Sequence, residues 1–414
     1  MVKEDQAVRV PWASWFGDYE IELAFPADWQ VEVCSPPGGP DIGEEGIRQA
    51  FANPIGSPRI GEMAGGKRSA AIVVDDLSRP TPASRVLPFL LAELTEAGIA
   101  RDDILIILGV ACHRQLMRED MEKKLGGEIL GTVRVKNHFA WDHLTYLGTT
   151  SRGTPVHVNS DFLAADFKVC LGGILPHGGP GFGGGAKLVL PGVTGIETTY
   201  YNHRPVAMGG PGKGLNRVDD NESRLDIEET ARMTGLDVIV NTVVNPRRGI
   251  AGLFVGDMVA AHRAGVAFAR LALTTPAPAN ADIVVLNAYP KDTEFVQIGL
   301  ALNPWLSASK PLVHERGTLV ITSAASEGFG FHSLHGPDGH LPNIHSLRRG
   351  LGDRKMIILS PNVNRLDLPA EAREDAGLTL CSAWPEARAL LEEYHGGSAG
   401  VAVFPVAAMQ LGEN

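Results

Sequence analysis

Residues 172–204 read GGILPHGGPGFGGGAKLVLPGVTGIETTYYNHR, and the rest of the chain is organised around this stretch. It carries three chemically active side chains, those of His177, Lys187 and His203. Glycine permits positive φ and close approach of other groups to the backbone, at a cost of up to ~1 kcal/mol per residue relative to Ala in regular structure. We therefore interpret the glycine run as a cradle for a bulky cofactor, formed by Gly178, Gly179, Gly181, Gly183, Gly184 and Gly185.

Outward from this stretch, the sequence predicts four buried parallel strands, each followed by polar residues. The strands are the apolar runs at 69–74, 103–110, 132–137 and 167–174. The polar residues that follow them are Asp75, Asp76 and Arg79, then His113, then His138 and His143, and finally His177. Open α/β sheets bind ligands at the carboxyl ends of their strands, so we expect these residues to share one site.

A second α/β pattern follows a segment with the composition of a linker, TTPAPANA at 274–281. The expected fold class is α/β, with two α/β domains that have mainly parallel sheets and an active cleft between them. Residues 1–273 would form the N-terminal catalytic and cofactor-binding domain, which starts with short antiparallel strands within 8–34. Residues 282–414 would form a C-terminal Rossmann-like domain.

Composition excludes several functional classes. The 414 residues carry a formal net charge of −11, which argues against general affinity for nucleic acid or an anionic membrane. No stretch approaches the ~18 apolar residues of a membrane span, and the first residues do not resemble a signal peptide, so we expect a soluble cytoplasmic protein. The four cysteines are widely spaced without a CxxC pair, which disfavours a disulfide framework or a thiolate zinc site.

Lys187 is the first candidate for covalent chemistry. It follows Gly-Gly-Gly-Ala and precedes an apolar run, so desolvation can lower its pKa enough to make it a nucleophile toward an activated carbonyl. The alternatives are a phosphate-binding lysine and a solvated surface lysine. The phosphate-loop pattern GxxxxGK[ST] is not met, because Ala186 and Leu188 stand where Gly and Ser or Thr are required.

The other candidates have both a functional and a structural interpretation. An imidazole is a common ligand for nickel, zinc or iron, so His177 or His203 can hold a metal, although a lone His203 can equally pack at a helix end. Arg79 suits carboxylate or phosphate recognition, or an internal ion pair with Asp75 or Asp76. His113 suits general acid and base catalysis, or a capping or core role. Packing roles are expected for His138, His143, His332, His335 and His340.

Several motifs resemble the lactate racemase family, whose members use a nickel pincer nucleotide. They are DDLSRPTP at 75–82, GVACHR at 109–114, LGTTSRGTPVHVN at 147–159 and, most specifically, LPHGGPGFGGGAKLVLPGVTG followed by Asn202-His203. The resemblance covers the first ~270 residues strongly and the second domain more loosely. In the second domain, NAYPKDTEFVQIGLAL at 287–302 is similar to the family's GGYPLDQNLYQSVKG.

The resemblance implies a racemase or epimerase of 2-hydroxy acids, with a role for each matching residue. The cofactor, a pyridinium-3,5-bisthiocarboxylic acid mononucleotide, would be joined covalently to Lys187, with its nickel held by His203. His113 and His177 would act as alternating acid and base while hydride is taken from the substrate carbon and returned. Arg79 would grip the substrate carboxylate beside Asp76, and Gln297 would contact the substrate. Backbone N–H groups of the glycine run would reach the nucleotide phosphate.

This chain departs from the family pattern at two places. Gly178, Gly179, Pro180 and Gly183 replace Pro, Phe, Ala and Ser of the common PHPFAGFSGGAK. Val296 and Leu300 stand where lactate racemases have Tyr and Lys, so the expected small-molecule substrate is a 2-hydroxy acid or sugar acid other than lactate. The alternatives are a Lys187 Schiff-base or metal-assisted enzyme, and a non-catalytic nucleotide-binding homologue. An oligomer is compatible with the sequence.

Overall fold

The computed structural model describes residues 4–204, 213–335, 350–368 and 370–414, so His340 lies outside the described residues. Its strands are Gln6–Trp12, Tyr19–Phe25, Gln30–Val33, Ala70–Asp75, Ile104–Gly109, Arg134–Asn137, Leu144–Thr149, Pro155–Asn159, Phe167–Gly173, Pro176–His177, Gly181–Phe182, Val238–Val244, Ile250–Gly256, Thr274–Pro276, Ala281–Asn287, Val313–Thr322, Lys355–Leu359, Leu378–Cys381, Gly400–Phe404 and Leu411–Glu413.

The α-helices are Gly43–Ala52, Ile60–Ala64, Ala83–Glu96, Arg118–Leu125, Gly127–Leu130, Ser160–Ala164, Ile196–His203, Glu222–Thr234, Ala260–Leu273, Asn303–Ser307, Ala370–Glu374 and Trp384–His395. Short 3-10 helices are Arg101–Asp103, Gly185–Leu188, Phe295–Leu302, Arg365–Asp367 and Ala407–Met409. Among the described residues, no helix is long and apolar enough to cross a bilayer.

The first sheet has six strands, in the spatial order Ile250–Gly256, Val238–Val244, Phe167–Gly173, Ala70–Asp75, Ile104–Gly109 and Arg134–Asn137. Its strands pair in parallel except Ile250–Gly256, which runs antiparallel to Val238–Val244. The chain first adds strands on one side of Ala70–Asp75 and later adds Phe167–Gly173 on its other side. The order therefore reverses between these two strands, and this is the position where doubly wound sheets bind ligands.

The second sheet also has six strands, all parallel, in the order Leu378–Cys381, Lys355–Leu359, Val313–Thr322, Ala281–Asn287, Gly400–Phe404 and Gln30–Val33. Its order reverses between Ala281–Asn287 and Gly400–Phe404. The prediction of an α/β fold with mainly parallel sheets is confirmed.

Both faces of the first sheet are covered, as a buried parallel sheet requires. Ile72 and Val74 pack on one face against the helix Ala83–Glu96, and Val73 packs on the other face with Leu188. The alternation within a continuous apolar strand places consecutive side chains in two separate cores.

The N-terminal segment differs from the sequence expectation in its partner. The strands Gln6–Trp12 and Tyr19–Phe25 do pair antiparallel, as predicted. Their buried residues pack, however, in one core with residues of the second sheet such as Val285 and Val320, and Gln30–Val33 pairs with Gly400–Phe404. Alternating hydrophobicity indicates a strand but does not specify a partner that lies more than 300 residues away in the sequence.

Two further elements were not anticipated. The segment expected to be a linker contains the strand Thr274–Pro276, which pairs in parallel with Leu411–Glu413. A hairpin of Leu144–Thr149 and Pro155–Asn159 precedes the helix Ser160–Ala164.

Candidate active site

The loop after Ala70–Asp75 forms the floor of the site. Oδ1 of Asp75 lies 2.6 Å from Nζ of Lys124, whose side chain is fully buried, and Oδ2 accepts hydrogen bonds from Thr81 Oγ1 at 2.6 Å and Gly173 N at 3.0 Å. The ammonium of Lys124 also donates to the carbonyl oxygens of Asp76, at 2.9 Å, and Arg79, at 3.0 Å. A buried lysine therefore fixes the backbone on which the functional side chains stand.

Asp76 and Arg79 are held apart by the serine between them. Oδ1 of Asp76 accepts from Ser78 Oγ at 2.5 Å, and Nη1 of Arg79 donates to the same Ser78 Oγ at 2.6 Å. An ion pair of Arg79 with Asp75 or Asp76 was the structural alternative from the sequence. Among the described residues neither carboxylate forms that pair, which leaves the guanidinium available for a ligand.

His113 lies between two carboxylates that come from different sheets. Its Nδ1 is 3.2 Å from Oδ2 of Asp76 and 3.4 Å from Oε1 of Glu294. Burial alone would lower the pKa of His113, but the charge of Asp76, followed by Glu294, raises that pKa above its usual value. Its Nε2 lies 3.4 Å from Nε2 of Gln297, so the two sequence-predicted residues meet.

His177 is in the opposite electrostatic situation. It ends the short strand Pro176–His177, and the amide of Gly179 donates to its Nδ1 at 3.2 Å. Burial, followed by the positive charges of Lys187, Lys291 and Arg79, holds the pKa of His177 well below its usual value. The surroundings therefore favour the neutral form of His177 and the imidazolium of His113.

Lys187 lies in the 3-10 helix Gly185–Leu188, directly after the glycine run. Burial, followed by the positive charges of Arg79 and Arg224, lowers the pKa of Lys187 to about 7. A substantial part of the population is therefore the free amine at neutral pH, which is the nucleophilic form. Desolvation is also the cause from which the sequence analysis predicted a lowered pKa for Lys187.

His203 is the last residue of the helix Ile196–His203, and its ring orientation is fixed by that helix. Its Nδ1 donates to the carbonyl oxygen of Thr199 at 2.8 Å, which leaves the lone pair on Nε2. Burial, followed by the charge of Lys187, lowers the pKa of His203 to about 3. A neutral imidazole with a backbone-bonded Nδ1 is the form that binds a metal through Nε2.

The glycine run packs against the protein itself. A Cβ on Gly184 would lie 2.9 Å from Oδ1 of Asn241, and a Cβ on Gly185 would lie 2.8 Å from Cδ2 of His262. Two N–H groups of this run are already bonded within the protein. Gly183 N donates to the carbonyl oxygen of Leu175 at 2.7 Å, and Gly185 N donates to Asn241 Oδ1 at 2.6 Å.

A buried arginine, which the sequence analysis did not identify, holds the glycine run in place. Arg224, on the helix Glu222–Thr234, is fully buried and donates to the carbonyl oxygens of Pro180 at 3.2 Å, Gly184 at 3.3 Å, and Phe182. No sequence pattern indicates this burial, because an arginine in an amphipathic helix normally faces solvent.

The second sheet contributes side chains that the sequence analysis missed. Lys291 and Glu294 follow the strand Ala281–Asn287 and are 2% and 3% exposed, respectively. His332, for which a packing role was expected, has its ring centroid 5.0 Å from that of His113. A run of charged residues immediately after a predicted strand was the available signal for Lys291 and Glu294.

No group of three or more His, Cys, Asp or Glu side chains that could hold a metal occurs in the described part of the chain. The four cysteines are all buried and free.

Comparison with known proteins identifies the family to which the chain belongs. The family model described as the lactate racemase N-terminal domain matches residues 16–215. A lactate racemase from Lactiplantibacillus plantarum is 30% identical over 306 residues, which is 73% of this chain and 69% of the relative. The chain belongs to the lactate racemase family.

A second lactate racemase and two solved structures extend this similarity. A lactate racemase from Thermoanaerobacterium thermosaccharolyticum is 27% identical over 69% of this chain and 67% of that protein. The lactate racemase apoprotein structure from the same organism has a TM-score of 0.79 at 22% identity, over 99% of this chain and 100% of that chain. A Thermotoga maritima protein has a TM-score of 0.65 at 17% identity, over 87% and 100%. At these identities the two structures establish the fold.

Proposed function

We propose that this protein is a racemase or epimerase of a 2-hydroxy acid other than lactate, using a nickel pincer nucleotide attached to Lys187. The observation that carries the proposal is the convergence of Arg79, His177, Lys187 and His203. The charge of Arg79 lowers the pKa values of His177 and Lys187, and the charge of Lys187 lowers those of His177 and His203. Membership of the lactate racemase family supports a racemase-type isomerase.

The residues present fit the cofactor. Lys187, with a pKa lowered to about 7, offers a free amine for bond formation with an activated carboxyl group of the nucleotide. His203 offers the lone pair of Nε2 to nickel, because its Nδ1 is bonded to Thr199. When bound, the nickel pincer nucleotide would supply the hydride acceptor and donor for the substrate carbon. Gly183, Gly184 and Gly185 contribute through the buried backbone path that leads to Lys187.

The two histidines suit acid and base catalysis at the substrate hydroxyl. His177 is neutral and can accept a proton, whereas His113 is stabilised as the imidazolium by Asp76 and Glu294. Because Nδ1 of His113 faces the two carboxylates, Nε2 is the atom that exchanges a proton with the substrate. A racemase needs one group of each kind, since the hydroxyl proton leaves from one enantiomer and must be supplied to the other.

Substrate binding is assigned to Arg79 and Gln297. The guanidinium of Arg79 is suited to a carboxylate, and holding that group aligns the reacting carbon. Gln297 contacts His113 and lies where the substrate hydroxyl would meet Nε2. Val296 and Leu300 stand where lactate racemases carry Tyr and Lys, which supports a substrate other than lactate.

The test is to express the protein with and without the biosynthetic enzymes of the cofactor. We expect co-expressed protein to carry bound nickel and a mass increase at Lys187, and to interconvert the stereoisomers of at least one compound in a panel of 2-hydroxy and sugar acids, followed by chiral chromatography. The protein expressed alone should be inactive. Racemisation by protein that lacks the Lys187 adduct would contradict the proposal.

A Lys187 Schiff base is the second candidate, favoured by the low pKa of the amine. It predicts that borohydride traps a 2-oxo acid on Lys187 in protein expressed alone. Lys187→Arg would abolish that trapping. A turnover that persists without nickel but stops after borohydride treatment would favour this candidate over the first.

A further inference from the structure

The second sheet places a lysine at its own ligand-binding edge. Lys291 lies four residues beyond the strand Ala281–Asn287, next to the point where the strand order reverses between that strand and Gly400–Phe404. This is the position in an open parallel sheet where ligands bind. The corresponding edge of the first sheet carries Arg79, so each sheet contributes one cation.

Lys291 is buried without a counter-charge. Its side chain is 2% exposed, and across the described residues no hydrogen bond or ion pair of its ammonium group is present. The neighbouring acids on its own segment are engaged elsewhere. Asp292 accepts from Ala13 N at 2.8 Å and Ser14 N at 3.2 Å, and Glu294 faces His113.

The groups that face Lys291 from the first sheet do not neutralise it. Burial, followed by the positive charges of Arg79 and Lys187, lowers the pKa of Lys291 well below its usual value, and Asp76 and Asp75 only partly oppose this effect. The charge of Lys291 in turn lowers the pKa of His177. Asp76 is bonded to Ser78 and His113, and Asp75 is bonded to Lys124, so both carboxylates already have cationic or donor partners.

An unpaired buried ammonium is destabilising, and an anion in the same space would offset that cost. We propose that Lys291 binds the substrate carboxylate together with Arg79, so that the carboxylate is clamped between cations from the two sheets. This inference rests on the proposed function for the identity of the anion as a 2-hydroxy acid. Lys291 is then a specificity-determining residue, because it selects for an acid and sets its position relative to His177 and Gln297.

The first experiment measures binding of oxalate to protein expressed alone, by calorimetry at low ionic strength. Oxalate is used because it has carboxylate groups but cannot react with an amine as a ketone does. We expect Lys291→Met to weaken oxalate binding at least 10-fold, since methionine keeps the length of the side chain and removes the charge. Lys310→Met, a change of an exposed lysine in the same domain, should leave binding unchanged.

Thermal unfolding of the same variants separates ligand binding from a structural role. Removing an unpaired buried charge should leave the melting temperature of Lys291→Met equal to that of the wild type or higher. A structural lysine would give a lower melting temperature. Unchanged oxalate binding in a folded Lys291→Met variant overturns the inference, whether or not the melting temperature is lower.

The second experiment measures the steady-state kinetics of the enzyme that carries the cofactor. With any substrate that is turned over, Lys291→Met should raise KM at least 10-fold and change kcat much less, because the contact is made in both the ground state and the transition state. If loaded wild-type protein turns over no hydroxy acid but Lys291→Met still loses oxalate binding, the proposed function fails and the anion site remains. If turnover is present and KM is unchanged in Lys291→Met, the inference fails alone.

Discussion

Lys187 is the side chain whose chemistry is most altered by its surroundings. Its pKa of about 7 follows from burial and from the positive charges of Arg79 and Arg224. Because a lowered pKa leaves roughly half of the amine unprotonated at pH 7, Lys187 should react with acetic anhydride at a rate that levels off above about pH 8. Exposed Lys310 serves as the comparison in the same peptide digest.

The variant Arg79→Met tests the cause of this shift. It removes the charge with the largest Coulombic effect on Lys187, so the labelling profile of Lys187 should move to higher pH. Labelling of Lys187 that rises in parallel with that of Lys310 up to pH 9 would show that the amine is an ordinary one.

His113 should be the histidine that remains protonated to the highest pH among those of the site. Its pKa is raised because Asp76 and Glu294 outweigh the effect of burial. Glu294→Gln removes one carboxylate charge, so the pKa of His113 should fall. As the pH rises, the imidazolium should then lose its proton at a lower pH than in the wild type. The ring resonances followed by NMR between pH 5 and 9 measure this.

Buried His138, whose Nε2 lies 2.9 Å from the carbonyl oxygen of Thr194 and whose pKa burial lowers to about 4, is the internal control for that titration. Its ring resonances should be the same in the wild type and in Glu294→Gln. A pKa of His113 that does not fall in Glu294→Gln would mean that the carboxylate of Glu294 does not stabilise the imidazolium.

The sequence was sufficient to predict the position of residues that follow the end of a strand. His113, His177 and Arg79 each follow an apolar run, and a parallel sheet brings such residues to one edge. Lys124 and Arg224 were not found, because their importance comes from burial. Burial of a charged side chain depends on which elements pack over it, and the local pattern does not encode that.

The helix Glu222–Thr234 is the element that supports the glycine run. It begins with Asn221, whose side chain accepts from Arg224 N at 3.0 Å and donates to the carbonyl oxygen of Gly179 at 2.7 Å. Arg224 then reaches three further carbonyl oxygens of the run. The path of the glycine run is thus determined by a helix that follows it by about 40 residues in the sequence.

We expect Arg224→Met to lower the free energy of unfolding by roughly 3–5 kcal/mol, because three buried carbonyl oxygens lose their donors. Urea denaturation measures this. Arg232→Met on the same helix removes a side chain that is 58% exposed and should change stability by less than about 0.5 kcal/mol. Equal effects of the two substitutions would mean that the contacts of Arg224 with the run do not stabilise the fold.

The glycine run also shows what a sequence pattern does not specify about a structural element. The glycines were expected to leave room for a cofactor, but at Gly184 and Gly185 the room is taken by Asn241 and His262. Both positions have positive φ, of 71° and 60°, which accounts for glycine without a ligand. Close approach to the backbone was correctly inferred, but the sequence does not specify which group makes that approach.

The two sheets are joined by a segment that crosses between them. The N-terminal hairpin packs on the second sheet, and its turn reaches the first sheet through Asp18. Both carboxylate oxygens of Asp18 lie 2.7 Å from Nη1 of Arg248, and Tyr289 of the second domain donates to Oδ1 at 2.9 Å. The guanidinium of Arg248 also lies 3.7 Å from the ring centroid of Trp15. This turn therefore links Tyr289 of the second domain to Arg248 of the first.

Asp18→Asn should accordingly lower the free energy of unfolding of the whole molecule. The substitution removes the counter-charge of Arg248, whose side chain is only 12% exposed, so we expect a loss of about 1–3 kcal/mol in the free energy of unfolding. Asp220→Asn breaks a pair with Arg217 in which the side chains are 69% and 55% exposed, and it should cost much less, because solvent screens an exposed pair. Urea titrations of both variants, followed by tryptophan fluorescence, make the comparison. Asp18 joins the two sheets, whereas Asp220 does not. If the free energy of unfolding falls no more in Asp18→Asn than in Asp220→Asn, the relative position of the edges that carry Arg79 and Lys291 is determined by other contacts.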